Sequence, residues 1–283
     1  VTPLTDLKSG KYLGFEGGLY PNGENSPPIA YEEAGATLGA TVRPLDKDGK
    51  PSGSGRIVMI SIGMSNASHE FLHFIRLVEA DPRKNPSLVM IDAAREGAAA
   101  TEIAIPFGEY WSYVDSRLQA CDISAAQVQI IWLKTALRDQ PPGFPEKAQL
   151  LQRMLCSVVE ILGTRFPQLK LIYVSSRTYG GYSKIELSRE PIAYESAFAV
   201  KWLIEAQIKH PNRNGRAPWV SWGPYLWANG LTPRSDGLIW ERSDFEPDGV
   251  HPSAQGALKV AKMLLEFFRK DAAAKPWVFS ALI

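Results

Sequence analysis

Charge of one sign, long apolar runs and cysteine are what this 283-residue chain has little of, and each shortage excludes something. Thirty-one Lys and Arg side chains stand against thirty Asp and Glu, a net charge of +1, so nothing in the global balance argues for nucleic acid or an anionic membrane as partner. No apolar run approaches the roughly 20 residues that would span a bilayer. Only Cys121 and Cys156 are present, without metal-ligand spacing and too few for a disulfide framework. Cys156 falls in the apolar rhythm of a helical stretch, so buried thiols are expected rather than a bridge. The chain opens on Val1 rather than Met, as a secreted or periplasmic protein would after signal cleavage; a trimmed start would look the same. What these shortages leave is a small or neutral molecule as the partner.

Apolar residues make up 45% of the chain, enough for one large domain or two small ones. From residue 56 onward, continuous strand-like runs alternate with segments of helical period. The runs are RIVMISI (56–62), SLVMID (87–92), VQIIWL (128–133), LKLIYVSS (169–176) and APWVSW (217–222). Between the third and fourth, Leu151, Met154, Leu155, Val158, Ile161 and Leu162 recur on one helix face. Strands that are apolar throughout must be covered on both faces. The expectation is therefore a three-layer α/β/α architecture around a mostly parallel five-stranded sheet. We read residues 1–283 as a single domain, with 1–55 an irregular N-terminal wrap and 56–270 the α/β core. Two long irregular stretches, about 177–190 and 223–252, are rich in Gly, Pro, Trp and Tyr, a content that argues against disorder.

Ligands of such sheets bind beyond the carboxyl ends of the strands, which directs attention to GMSNASHEFLH, residues 63–73. Its second half, His69-Glu70-Phe71-Leu72-His73, fits the H-E-x-x-H zinc-peptidase pattern. On a helix, however, His69 and His73 share the polar face with Arg76, whose charge opposes a dication, and no third ligand stands out; a chance match is the expectation. Its first half places Ser65 between a strand and a helix N-terminus, where backbone N–H groups favour an oxyanion. Capping the helix would be the simpler role. Near the other end, Asp248-Gly249-Val250-His251-Pro252-Ser253 precedes a final amphipathic run. An Asp and a His three apart can supply the base that activates a serine and the carboxylate that orients the base.

G-x-S early, D-x-x-H-P late and five β/α units between them resemble the SGNH (GDSL-type) hydrolase superfamily over roughly residues 56–270. The resemblance implies a flavodoxin-like fold and cleavage of an ester through an acyl-serine intermediate, with no metal or organic cofactor. It assigns Ser65 as nucleophile, His251 as general base and acid, Asp248 as the group orienting His251, and the Gly97 N–H to the oxyanion hole. Two features depart from the family pattern. Met64 stands where the family has an acidic residue before the serine, and no copy of its third block, G-x-N-D, follows the third run. Lys134 and Thr135 occupy that place, and Lys134 is the expected third oxyanion donor because an ammonium stabilises developing negative charge more than a neutral group does. Trp219, Trp222, Tyr225, Trp227 and Trp240 could line a cleft and stack on sugars, which makes a carbohydrate O-acyl (acetyl) ester the expected substrate; core packing is their other possible role. The rivals are a non-catalytic carbohydrate-binding module with a relic triad and, third, a zinc peptidase.

Overall fold

The computed structural model describes residues 1–138, 143–185, 188–210 and 217–280. Each apolar run becomes a strand: β1 (Ile57–Gly63), β2 (Leu88–Asp92), β3 (Val128–Lys134), β4 (Leu171–Val174) and β5 (Trp219–Trp222). All neighbours pair in parallel, in the order β2-β1-β3-β4-β5. That is the flavodoxin-like doubly wound arrangement, whose switch point lies between the first and third strands.

Alternation along the strands builds two cores. Val58, Ile60 and Ile62 join Leu151, Val158 and Phe198 on one face, where α3 (Glu109–Ala120), α4 (Glu146–Arg165) and α5 (Ile192–Lys209) cover the sheet. Ile57, Met59 and Trp132 join Phe71, Phe74 and Leu264 on the other, under α2 (Ser65–Glu79) and α6 (Ala254–Lys270). The expected three layers are present. No helix among the described residues is long and apolar enough to cross a membrane.

The N-terminal 55 residues are less irregular than expected. They contain a 12-residue helix, α1 (Ile29–Ala40). Its contact face carries glycines instead of apolar side chains, which erases the periodic signal: a Cβ on Gly35 would lie 2.4 Å from the Trp219 ring, and one on Gly39 2.1 Å from the Ala273 carbonyl oxygen. The same region, together with α5, closes the β5 edge. Tyr31 Oη donates to the Val220 carbonyl (2.6 Å) while Gln207 Oε1 accepts from the Val220 N–H (2.8 Å), satisfying groups an exposed edge would leave open to pairing. Both cysteines are free, Cys156 half-buried as its helix rhythm suggests and Cys121 exposed, contrary to the buried thiol expected.

Candidate active site

Ser65 is the first residue of α2, just past the end of β1, and is 9% exposed. Two fastenings hold the strand end. Tyr110 Oη accepts from the Gly63 N–H (3.1 Å) and donates to the Ala93 carbonyl (3.0 Å), and Arg95 N–H donates to the Gly63 carbonyl (2.9 Å). Asp92, at the end of β2, accepts from Ser61 Oγ and from Ser68 Oγ, each at 2.5 Å. It thereby ties β1, β2 and the first turn of α2 together.

The DGVHPS stretch reaches the same point from the far end of the chain. Ser65 Oγ lies 2.9 Å from His251 Nε2, and His251 Nδ1 lies 2.5 Å from Asp248 Oδ2. Asp248 Oδ1 also accepts from the Val250 N–H (2.9 Å) and the His251 N–H (3.0 Å). Burial opposes ionisation of this carboxyl, but the hydrogen bonds from His251 and these two N–H groups outweigh it and hold its pKa below the usual carboxylate value. An ionised Asp248 fixes a proton on Nδ1 and leaves Nε2 as acceptor for the serine proton.

The loop is clamped on both sides. Asn66 Nδ2 donates to the Val250 carbonyl (2.8 Å), and Ser253 caps α6 by accepting from the Gly256 N–H (3.2 Å). Gly249 supplies the turn with φ +70, a conformation that suits glycine. Helices α2 and α6, which carry the two halves, pack through Phe74 and Phe268, ring centroids 5.4 Å apart. An open cleft of about 700 Å3 adjoins the pair, bordered by His69, Leu72, Arg76, Tyr113 and Glu246.

The zinc motif comes apart in three dimensions. Glu70, which would have to act on a metal-bound water, is fully buried and pairs with Lys134, whose Nζ lies 2.5 and 2.6 Å from its two carboxylate oxygens. His69 is exposed, its ring 6.0 Å from that of His251. Among the described residues, no group of three His, Cys, Asp or Glu side chains is placed to hold a metal ion.

The same ion pair corrects the expectation for Lys134. Burial pushes the Glu70 carboxyl up and the Lys134 ammonium down, and their mutual attraction opposes both shifts. With its Nζ committed to Glu70, Lys134 is not free to reach a substrate carbonyl. Thr135, the next residue, is 8% exposed, and its buried Oγ1 has no hydrogen-bond partner among the described residues. Gly97 adopts φ +72, and its carbonyl accepts from the Ala99 N–H (3.0 Å) and the Arg138 guanidinium; it is not among the residues bordering the cleft beside Ser65.

The aromatic loop residues do not line this cleft. Trp219, Trp222, Trp227 and Trp240 are 6% exposed or less. Their indole N–H groups donate to the Tyr31, Leu19 and Leu226 carbonyls and, for Trp227, to Glu190. Tyr225, 4% exposed, accepts the Leu4 N–H. Trp219, Trp222 and Tyr225 border a separate cleft between the N-terminal segment and α6. They serve packing, and the sugar-stacking platform expected beside Ser65 is not formed by them.

Sequence reasoning passed over Asn66, Asp92 and Ser68. Asp92 was visible as a carboxylate closing a strand run; the partners that give it a role were not. No family model and no curated protein matches the chain. Solved structures similar to it include a salicylyl-acyltransferase from a tetracycline biosynthetic pathway (17% identity, 81% of this chain, TM-score 0.42), of whose length the chain spans 58%. Others are an acetylxylan esterase from Geobacillus stearothermophilus (14% identity, 79% of this chain and 97% of that one, TM-score 0.44) and a GDSL-like lipase from Bacteroides thetaiotaomicron (12% identity, 84% and 97%, TM-score 0.40). Likenesses this distant assign no residue role and no substrate.

Proposed function

We propose that the chain is a divergent SGNH-type serine hydrolase that cleaves an ester through an acyl-serine intermediate. The reading rests on the unbroken hydrogen-bond chain from Ser65 Oγ through both ring nitrogens of His251 to Asp248. His251 Nε2 takes the hydroxyl proton as Oγ bonds to the ester carbonyl carbon. The tetrahedral oxyanion is met by N–H groups at the start of α2 and at Gly97, with Thr135 Oγ1 as the side-chain donor. Collapse expels the alkoxide, which takes the proton from His251 and leaves through the open cleft. Water, deprotonated by the same nitrogen, then releases the acid and restores Ser65. Asp248 stays ionised throughout. No metal or organic cofactor enters any of these steps. A carbohydrate O-acyl ester fits the wide cleft, which Tyr113 borders and the five loop aromatics do not.

Treatment with a fluorophosphonate followed by peptide mass spectrometry tests the reading directly. Label on the peptide containing Ser65, abolished in His251→Ala, is the expected result. Absence of label under conditions that modify a control serine hydrolase would favour a non-catalytic glycan-binding module carrying a relic of the site.

A further inference from the structure

We infer that Asn66 is a positioning residue for the proposed reaction: its side-chain amide, seated on the Val250 carbonyl, sets the approach of His251 to Ser65. The inference rests on the reading of Ser65 as nucleophile and His251 as its base. Ser65 Oγ lies 2.9 Å from His251 Nε2, and beside that contact Asn66 Nδ2 donates to the Val250 carbonyl at 2.8 Å. Two consecutive residues of α2 are thus joined to two consecutive residues of the D-x-x-H turn by two rungs. The first rung carries the proton. The second fixes where the first can form.

Other contacts hold the turn by its backbone and from elsewhere. The Glu246 N–H donates to the His251 carbonyl (2.8 Å), the Gly249 N–H to the Glu246 carbonyl (2.8 Å) and the Lys184 N–H to the Asp248 carbonyl (3.0 Å). The loop after β4 presses on the turn as well: a Cβ on Gly249 would lie 1.8 Å from the Tyr182 carbonyl oxygen. These contacts seat the turn on its own segment and on that loop, and none of them reaches the helix that carries the nucleophile. Among the described residues, Asn66 supplies the one side-chain hydrogen bond from α2 to the backbone of residues 248–251. The packing of Phe74 on Phe268 also joins α2 to α6, but it lies nine residues beyond Ser65 and seventeen beyond His251. A misplacement of about 1 Å can cost ~10²-fold in rate, so a hydrogen bond adjoining both reacting residues is the closer constraint.

The amide's own chemistry separates positioning from catalysis. A carbonyl can be met only by a donor, so Nδ2 is committed to Val250. What remains is Oδ1, an acceptor that would repel an oxyanion rather than bind it. Asn66 therefore acts through His251 and not on the substrate.

Two variants and two readouts test the assignment. Asn66→Ala removes the second rung; Asn66→Asp keeps its size but sets a carboxylate against the carbonyl. On a short-chain aryl ester, on the pH plateau of the rate, each should lower kcat by roughly 10- to 100-fold, as for a base displaced by up to about 1 Å, with KM little changed. The melting temperature of Asn66→Ala should fall by only about 2–4 °C, as for one ordinary hydrogen bond in a domain of this size. The second readout needs no turnover: the proton NMR resonance of His251 Nδ1–H, carried far downfield by its bond to Asp248, should be sharp in the parent and broadened or lost in both variants. Where Asn66→Ala does not fold, Asn66→Asp supplies the comparison, since a negative charge is favourable in the first turn of a helix. Parental kcat with an unchanged Nδ1–H resonance overturns the inference and leaves the esterase reading standing. A fall in kcat matched by an equal loss of folded protein marks a purely structural asparagine and overturns it too. A parent that hydrolyses no ester, with a resonance that still depends on Asn66, sinks the esterase reading and leaves the positioning role standing.

Discussion

Replacing Lys134 with Met separates a structural from a catalytic lysine. In the structure the ammonium is 5% exposed and its partner Glu70 is 0% exposed, with both carboxylate oxygens at hydrogen-bond distance. Removing one member of such a pair leaves a buried charge without compensation, which costs about 3–5 kcal/mol. For a domain of this size that corresponds to a melting temperature lower by roughly 6–20 °C. The double variant Lys134→Met/Glu70→Gln removes the stranded charge and should recover most of the loss. The pair of variants also fixes a pH signature. Burial raises the Glu70 pKa, and in the unfolded chain a glutamate titrates at about 4.3. Below that value Glu70 is protonated in both states and resembles Gln, so the single and double variants should melt together. As pH rises above it, the unfolded state ionises first, and the folded single variant loses stability relative to the double. Thermal melts of both proteins from pH 4 to 8, with kcat measured well below the melting point, decide the matter. A Lys134→Met protein that melts like the parent while kcat falls by about 10²–10³ would refute the ion-pair reasoning and return Lys134 to the oxyanion hole.

On a short-chain aryl ester, Ser65→Ala should abolish nearly all turnover, whereas His69→Ala combined with His73→Ala should keep most of it; chelator-sensitive activity restored by zinc would reverse that assignment. Asp248→Asn should fold normally yet lower kcat by something like 10⁴, as expected when the imidazole tautomer is mis-set, and near-normal kcat in a folded variant would show that Asp248 does not orient His251. Thr135→Val should lower kcat by roughly 10²–10³ with KM little changed, the pattern of a donor acting in the transition state; an unaltered kcat would mean the oxyanion is held by N–H groups alone.

The parts of this molecule that repeat were legible in the sequence, and the parts that depend on which side chains meet were not. All five strands lie within or against the apolar runs, because a strand covered on both faces must be apolar at every position and so announces itself. Ser65, Asp248 and His251 were named together through the G-x-S and D-x-x-H-P resemblance, and the structure brings the three side chains into one hydrogen-bonded chain. Helix α1 was missed for the opposite reason: Gly35 and Gly39 make its contacts by having no side chain, which periodicity cannot register. Lys134 was assigned a role from its type and position alone. Its true partner lies 64 residues away in sequence, and nothing local distinguishes a strand-end lysine that reaches a substrate from one that turns under the adjacent helix.

The H-E-x-x-H match shows how little a pattern constrains when its letters fall on different sides of a helix. A step of one residue turns the helix by about 100°, and in this chain that step takes Glu70 out of the surroundings of His69. Here His69 faces the open cleft beside His251 while Glu70 points under the sheet edge to Lys134. A zinc peptidase needs both on the solvent side, with the glutamate beside the metal-bound water. The apolar residues that place α2, Phe71, Phe74 and Val78, forbid that orientation, because turning Glu70 outward would lift them from the core. The same rotation that buries Glu70 sets Ser65, five residues earlier, at the cleft. Two turns of one helix thus separate the two readings, and they do so through the packing of three residues that neither pattern specifies.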